Sequence, residues 1–112
     1  MIVTIIKFAL PAPMTQIEAR RRFRATFGSY EGMPGLIYKQ YIRGLDGLTS
    51  GAIYTWESED AAKACFDRTW HQRLAEKFGG PPTISWLDCV GVVDNRHHES
   101  FGDEATPLID KD

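Results

Sequence analysis

The chain of 112 residues has a composition that is ordinary for one globular domain, with 43% hydrophobic and 25% charged residues. Its net charge of -2 provides no basic field that would hold a nucleic acid or an anionic membrane surface. The longest apolar stretches, such as residues 1–6, are too short to span a bilayer, and no signal peptide is recognisable. We therefore expect a cytoplasmic protein that binds neither nucleic acid nor membranes.

The N-terminal half of the sequence predicts a strand, a helix and a β-hairpin. Residues 1–10 are rich in Ile, Val and Phe, which favours a strand that is covered on both faces. Thr15 and Glu18 have the spacing of a capping box, so a helix with one apolar stripe should begin there. The stripe consists of Ala19, Phe23, Phe27 and Tyr30. Residues 36–43 and 51–56 then predict the two strands of a hairpin.

The strand at residues 36–43 contains a lysine whose role depends on the face it occupies. Period-two alternation places Leu36 and Tyr38 on one face, and Lys39 and Tyr41 on the other. If Lys39 faces a pocket, desolvation lowers its pKa and makes it a candidate base or anion holder. If Lys39 faces solvent at a sheet edge, it only guards against aggregation.

The C-terminal half predicts a second helix, a fourth strand and a polar tail. Ser58 should cap the helix, and the Gly-Gly-Pro-Pro segment at residues 79–82 should end it. The apolar stripe of this helix consists of Ala62, Cys65, Phe66, Trp70, Leu74 and Phe78. Residues 83–93 predict the fourth strand, and residues 95–112 predict a polar tail or an arm laid over a partner subunit.

The order β, α, β, β, α, β predicts an α+β domain of ferredoxin-like βαββαβ topology at residues 1–94, with an antiparallel four-stranded sheet. All four strands are apolar on both faces, whereas two helices cover only one face of such a sheet. A second copy of the same sheet is the simplest cover for the other face. We therefore expect a homodimer.

Aromatic residues are concentrated on the strands and the second helix, and no segment matches a phosphate-binding loop, a dinucleotide fingerprint or a metal-ligand pattern. Buried Trp and Tyr need hydrogen-bond partners, so they are costly for filling a core and useful for stacking a planar ligand. The alternative for each is ordinary core or interface packing. The candidate ligand-binding residues are Tyr38, Tyr54, Trp56, Trp70 and Trp86.

A histidine on the second helix is the other candidate for catalysis. His71 follows Trp70 and, at about 100° per residue, shares a side of the helix with Leu74 and Phe78. We expect its ring at the edge of the space between helix and sheet, where it would suit a general base or a haem ligand. The alternative is a histidine at the surface. His71 and Lys39 are thus the two candidate bases.

Three short motifs carry a family resemblance: PGLIYKQY at residues 34–41, GAIYTW at 51–56 and EDAA at 59–62. Together they resemble the YdhR-type branch of the dimeric α/β-barrel monooxygenase-like superfamily, over Met1 to about Asp94. The resemblance implies a dimeric α/β barrel with a pocket between sheet and helices, and oxygenation without a bound metal or flavin. It therefore implies no cofactor, and as substrates dioxygen and a small planar phenolic or quinol-type molecule.

The same superfamily also contains haem-degrading enzymes, lactone isomerases and polyketide cyclases, and fold alone does not choose among them. The haem-degrading branch pairs a helix histidine with a tryptophan and a first-strand asparagine. His71 with Trp70 or Trp56 resembles two of these roles, but the first strand has no asparagine. A cyclase or isomerase would use the same base without oxygen, and a non-catalytic binder would need no base.

Overall fold

The computed structural model describes residues 1–102, and its main sheet is antiparallel with four strands in the order β2-β3-β1-β4. The strands of this sheet are β1 (Ile2–Ala9), β2 (Leu36–Arg43), β3 (Thr49–Trp56) and β4 (Thr83–Asp88). The helices are α1 (Gln16–Arg24), α2 (Phe27–Tyr30), α3 (Glu59–Cys65) and α4 (Arg68–Phe78). The predicted ferredoxin-like arrangement is confirmed.

The first predicted helix begins as expected but divides into α1 and α2. Thr15 accepts a hydrogen bond from the backbone N–H of Glu18 at 3.1 Å, which is the predicted cap. The Glu18 carboxylate does not complete the capping box, because it pairs with Arg22 at 2.6 Å instead. Near the division, the Thr26 hydroxyl donates to the carbonyl of Phe23 at 2.8 Å. Such a side-chain bond competes with the helical pattern of backbone bonds.

The second predicted helix also divides, into α3 and α4. The chain leaves the helical conformation at Phe66, where ψ is 51°. Asp67 then caps α4 by accepting a hydrogen bond from the backbone N–H of Trp70 at 2.9 Å. The apolar stripe continues across the division, since Ala62, Phe66 and Trp70 all lie in the core. Periodicity alone therefore could not reveal the break.

The fourth predicted strand is shorter than expected, because β4 ends at Asp88. The chain continues into a separate two-stranded sheet of β5 (Gly91–Asp94) and β6 (Glu99–Gly102). Part of the predicted tail thus belongs to a hairpin. Its function as an arm on a partner subunit stays a prediction, and residues 103–112 lie outside the described residues.

The core lies between the sheet and the helices. Its buried members are Ile6, Phe8, Ala52, Tyr54, Trp56, Ala62, Phe66 and Trp70. Trp56 is completely buried, and its indole N–H donates to the Thr4 hydroxyl of the neighbouring central strand at 3.0 Å. Within residues 1–102, the helices are all too short to cross a lipid bilayer.

The sheet face opposite the helices carries a mixture of apolar and polar side chains. Ile5 and Ile53 lie opposite each other on the two central strands and are half-buried. Tyr38 on one edge strand and Leu87 on the other are 56% and 47% exposed. This outer face is the one through which the sequence predicts a homodimer.

If the outer face forms the dimer, a charge at its centre should separate the subunits. Ile53→Lys would place two ammonium groups in one twofold interface, because such an interface uses the same residue twice. Sedimentation velocity at micromolar concentration should show a dimer for the native chain and a monomer for Ile53→Lys. Gln72→Lys, which adds the same charge on the exposed side of α4, should leave the dimer intact. A monomeric native chain would contradict the prediction.

The buried bond between Trp56 and Thr4 should contribute measurably to stability. Thr4→Val keeps the shape of the side chain but leaves the indole N–H without its acceptor, at a cost of roughly 1–3 kcal/mol. Urea unfolding of native and variant chains measures this difference. Thr55→Val, on the outer face of β3, makes the same chemical change and should cost less. If both variants lower the free energy of unfolding equally, the buried hydrogen bond makes no particular contribution to stability.

Candidate active site

A cavity of about 70 Å³ lies between the helix-facing side of the sheet and the helices. Its apolar lining includes Ile6, Phe8, Phe23, Leu74 and Phe78. Its polar lining consists of Thr26, Tyr30, Lys39, Tyr41, Ser50, Tyr54 and Lys77. Apolar walls with a few convergent polar groups are typical of a small-molecule site.

An irregularity in β2 decides which side chains enter this cavity. Leu36 is paired with Trp56 and Lys39 with Tyr54, so one extra residue lies between the two pairs on β2. This bulge places Leu36 on the same face as Lys39, whereas strict alternation predicted opposite faces. From Tyr38 onward the predicted alternation holds, and Lys39 points towards the helices.

The amine of Lys39 is surrounded by tyrosine rings. Its Nζ lies 3.2 Å from the ring centroid of Tyr30, 4.2 Å from that of Tyr41 and 4.6 Å from that of Tyr54. Among residues 1–102, the ion pairs of the structure do not include Lys39. The amine is therefore held by ring faces in place of a carboxylate.

Two opposing effects act on the protonation of Lys39. Burial removes water from the ammonium group and lowers its pKa from 10.5 to about 7. The proximity of Cys65 partly opposes this shift, and the charge of Lys77 adds to it. The tyrosine faces act in the opposite direction, because their negative π-clouds favour a cation. The amine can thus be neutral near pH 7, and its charged form has a prepared environment.

Hydrogen bonds fix two of the three tyrosines of this cage. The Thr26 hydroxyl already donates to a backbone carbonyl, so the Tyr41 hydroxyl is the donor in their 2.6 Å contact. The Tyr30 hydroxyl accepts from the indole N–H of Trp70 at 3.2 Å. Burial, followed by the proximity of Tyr30, raises the pKa of Tyr54 well above its ordinary value. Tyr41 and Tyr30 are therefore oriented by hydrogen bonds, and burial keeps the Tyr54 hydroxyl protonated.

Two further spaces adjoin the cavity, and Tyr30 lines all three. A more open groove of about 380 Å³ is lined by Tyr38, Lys39 and Glu31 among others. A second space of about 120 Å³, smaller than the groove but larger than the cavity, lies along α4 and is lined by Arg73 and Lys77 among others. The amine of Lys39 is thus approached from both the cavity and the groove.

The structure brings together three of the predicted site residues. Lys39, Tyr54 and Trp70 all line the cavity. Tyr38 lines the adjoining groove. Trp56 lies behind Tyr54, with the two rings stacked at 5.4 Å, and is not part of the lining.

The other two predicted site residues lie elsewhere. Trp86 is 43% exposed on β4, with its ring 6.0 Å from that of Phe66. His71 is exposed and does not line the cavity, contrary to its expected position. The reason is that Trp70 and Phe66 pack at 4.4 Å and fill the space beneath the first turn of α4, so His71 lies edge-on outside Trp70.

Several site residues were missing from the sequence-based candidates. Tyr30 and Tyr41 form most of the cage, and Thr26 orients Tyr41. The alternation of β2 contained a signal for Tyr41, because it predicted Tyr41 on the face of Lys39. Tyr30 belonged to the predicted apolar stripe, but nothing in the sequence placed that stripe opposite Lys39.

Comparison with known proteins gives similarity in structure only. No protein-family model and no curated protein matches the chain. A monooxygenase from the ActVA-Orf6 gene of Streptomyces coelicolor, solved with nanaomycin D, shares 22% identity over 77% of this chain and 84% of its own, with a TM-score of 0.59. A single-residue variant of MhuD, with two manganese protoporphyrin IX molecules per active site, shares 22% identity over 80% of this chain and 95% of its own. The TM-score is 0.60.

A third similar structure, assigned as an antibiotic biosynthesis monooxygenase from Bordetella bronchiseptica, shares 16% identity over 77% of this chain and 93% of its own, with a TM-score of 0.56. At these identities the likeness establishes the fold, not the reaction. The chain therefore has the fold of the antibiotic biosynthesis monooxygenases. Its membership of the YdhR-type branch stays a prediction.

The lowered pKa of Lys39 should appear in the pH dependence of stability. Between about pH 7 and pH 10 the unfolded chain retains a proton on Lys39 that the folded chain has lost, so stability should rise with pH. Lys39→Met should remove this rise in urea unfolding measured across that range. Lys63→Met is the control, because Lys63 is exposed and pairs with Glu59. If the native chain and Lys39→Met show the same slope, Lys39 has an ordinary pKa.

Proposed function

We propose that the protein is a monooxygenase that oxidises a small planar phenol or quinol with dioxygen, without a cofactor, and that Lys39 is its base. The observation that carries the proposal is the amine of Lys39, held by three tyrosine rings at an apolar cavity. A base is most effective when its pKa lies near the working pH, and burial lowers that of Lys39 to about 7. The fold shared with monooxygenases supports this class of reaction.

The proposed reaction begins with transfer of the phenolic proton to the neutral amine of Lys39. The phenolate passes an electron to dioxygen, and a ring carbon then forms a bond to oxygen. The peroxide takes the proton back from the Lys39 ammonium. The ring carbon loses its hydrogen as a proton while the O–O bond breaks, which gives a quinone and water. One oxygen atom enters the product, the other leaves as water, and all electrons come from the substrate.

The cage assists this chemistry in two ways. Desolvation keeps the resting amine ready to accept a proton, and the ring faces of Tyr30, Tyr41 and Tyr54 stabilise the ammonium that results. The apolar walls exclude water from the anionic intermediates and hold a planar ring in place. The proposal retains the homodimer and the cytoplasmic location that the sequence predicts.

The porphyrin-bound neighbour raises the alternative of haem binding, which the described residues do not fit. His71 is the helix histidine that would have to serve as a ligand, and it is exposed and outside the cavity lining. Neither the cavity beside Lys39 nor the adjoining groove is lined by a histidine that could bind the haem iron. No step of the proposed reaction involves haem.

Replacing Lys39 tests whether its amine is the base. Lys39→Met should lower oxygen uptake by roughly a hundredfold to ten-thousandfold, the usual effect of losing a general base. Lys39→Arg should be equally impaired, because a guanidinium keeps its charge and does not deprotonate. The assay follows oxygen uptake with phenols and quinols from hydroquinone to anthrone, and heavy-oxygen gas should label one product oxygen.

His71→Ala is the matched control for this experiment, since His71 is the other candidate base. We expect its turnover to equal that of the native chain, because the residue lies outside the cavity. Normal turnover of Lys39→Arg would instead make Lys39 an anion holder. Normal turnover of both Lys39 variants together with a loss in His71→Ala would assign the base to His71.

A further inference from the structure

Two cations of α4 line the space of about 120 Å³ that adjoins the cavity. Arg73 and Lys77 are one helical turn apart and therefore lie on the same side of the helix. Within the described part of the chain, neither takes part in an ion pair. No carboxylate is among the residues that line this space. The space is therefore positively charged without an internal partner.

This space adjoins the cavity beside Lys39. Lys77 lines both the space and the cavity, as do four other residues. The other four are Thr26, Tyr30, Trp70 and Leu74. The charge of Lys77 also reaches Lys39, whose pKa it helps to lower. A substituent on a ligand ring in the cavity would therefore lie close to Lys77 of α4.

Hydroxyl groups supply further donors on the same side. The Tyr30 hydroxyl, which accepts a hydrogen bond from Trp70, belongs to a residue that lines the space. The Ser29 hydroxyl belongs to a residue that lines the space as well. The groove that also adjoins Tyr30 differs, because the carboxylate of Glu31 lines it together with Lys39 and would repel an anion. An anionic group on the ligand is therefore directed to α4.

We propose that the substrate carries a carboxylate on its aromatic ring, and that Arg73 and Lys77 bind this carboxylate while the ring occupies the cavity beside Lys39. The inference rests on the proposed function for the position of the phenolic ring. It adds the substrate class, an aromatic hydroxy acid, and two residues that determine specificity. Arginine and lysine together suit a carboxylate, because charge-assisted hydrogen bonds are the strongest available to it.

The test compares the binding of matched probes by calorimetry, which requires no turnover. Gentisate is hydroquinone with a ring carboxylate, and methyl gentisate has the same ring without the charge. Gentisate should bind the native chain about tenfold more tightly than methyl gentisate. Each of Arg73→Gln and Lys77→Gln should reduce this preference by about threefold, a partial effect expected for cations that reach solvent. The double variant should bind both probes equally.

Arg68→Gln is the control, because it removes the same charge from α4 at an exposed position outside both spaces. It should leave the tenfold preference unchanged. Raised salt should weaken the binding of gentisate and not that of methyl gentisate. Thermal melts check that each variant is folded, and the two single variants carry the test if the double variant is not.

The outcomes separate the inference from the proposed function. If hydroquinone and methyl gentisate bind but gentisate binds no more tightly, the carboxylate site is overturned and the phenol site stands. A preference that persists in the Arg73→Gln and Lys77→Gln double variant, or that Arg68→Gln reduces as much, also overturns the carboxylate site. If none of the three probes binds, the phenol site itself fails, and the inference fails with it.

Discussion

Trp56 is completely buried in the main sheet, and its indole N–H has to find an acceptor there. It finds the hydroxyl of Thr4 on the neighbouring strand, and this contact agrees with the register of the two central strands. The ring of Tyr54 lies parallel to that of Trp56 within 9°, so its orientation follows from the buried contact. Because Tyr54 is paired with Lys39 across the hairpin, the position of the amine depends on the same contact.

The site places a lysine in an apolar cavity, and the fold compensates only in part for the hydration that the lysine loses. A lysine in an apolar cavity loses its hydration, and the described residues supply no carboxylate to compensate. The surrounding ring faces compensate only in part, because a cation–π contact returns less than the hydration that burial removes. Burying Lys39 in this way lowers the stability of the fold. It favours proton transfer, because both protonation states of the amine are accessible near neutral pH.

The sequence predicted the fold better than the site because the two depend on different information. Hydrophobic periodicity and caps such as Thr15 and Ser58 are local signals, and they were sufficient for the order of the elements. The cap at Asp67 is also local, but the continuous apolar stripe concealed it. Lys39 lies at the cavity because alternation from Tyr38 onward held, and its function as a base stays a prediction. His71 was misplaced because helical angles alone do not show which neighbouring rings already fill the space.

Tyr30 separates three spaces, yet it lies on a four-residue helix that contributes no buried residue to the core. The fully buried residues of the core are mainly on β1, β3, α3 and α4, but Tyr30 packs against them and its hydroxyl accepts the hydrogen bond of the buried Trp70 indole. In evolution, a change of side chain at this one position would alter the size and shape of compound that the protein accepts. The cost to folding would be smallest where the new side chain still provides an acceptor for Trp70. Divergence of substrate preference in such a scaffold would be expected to begin on α2.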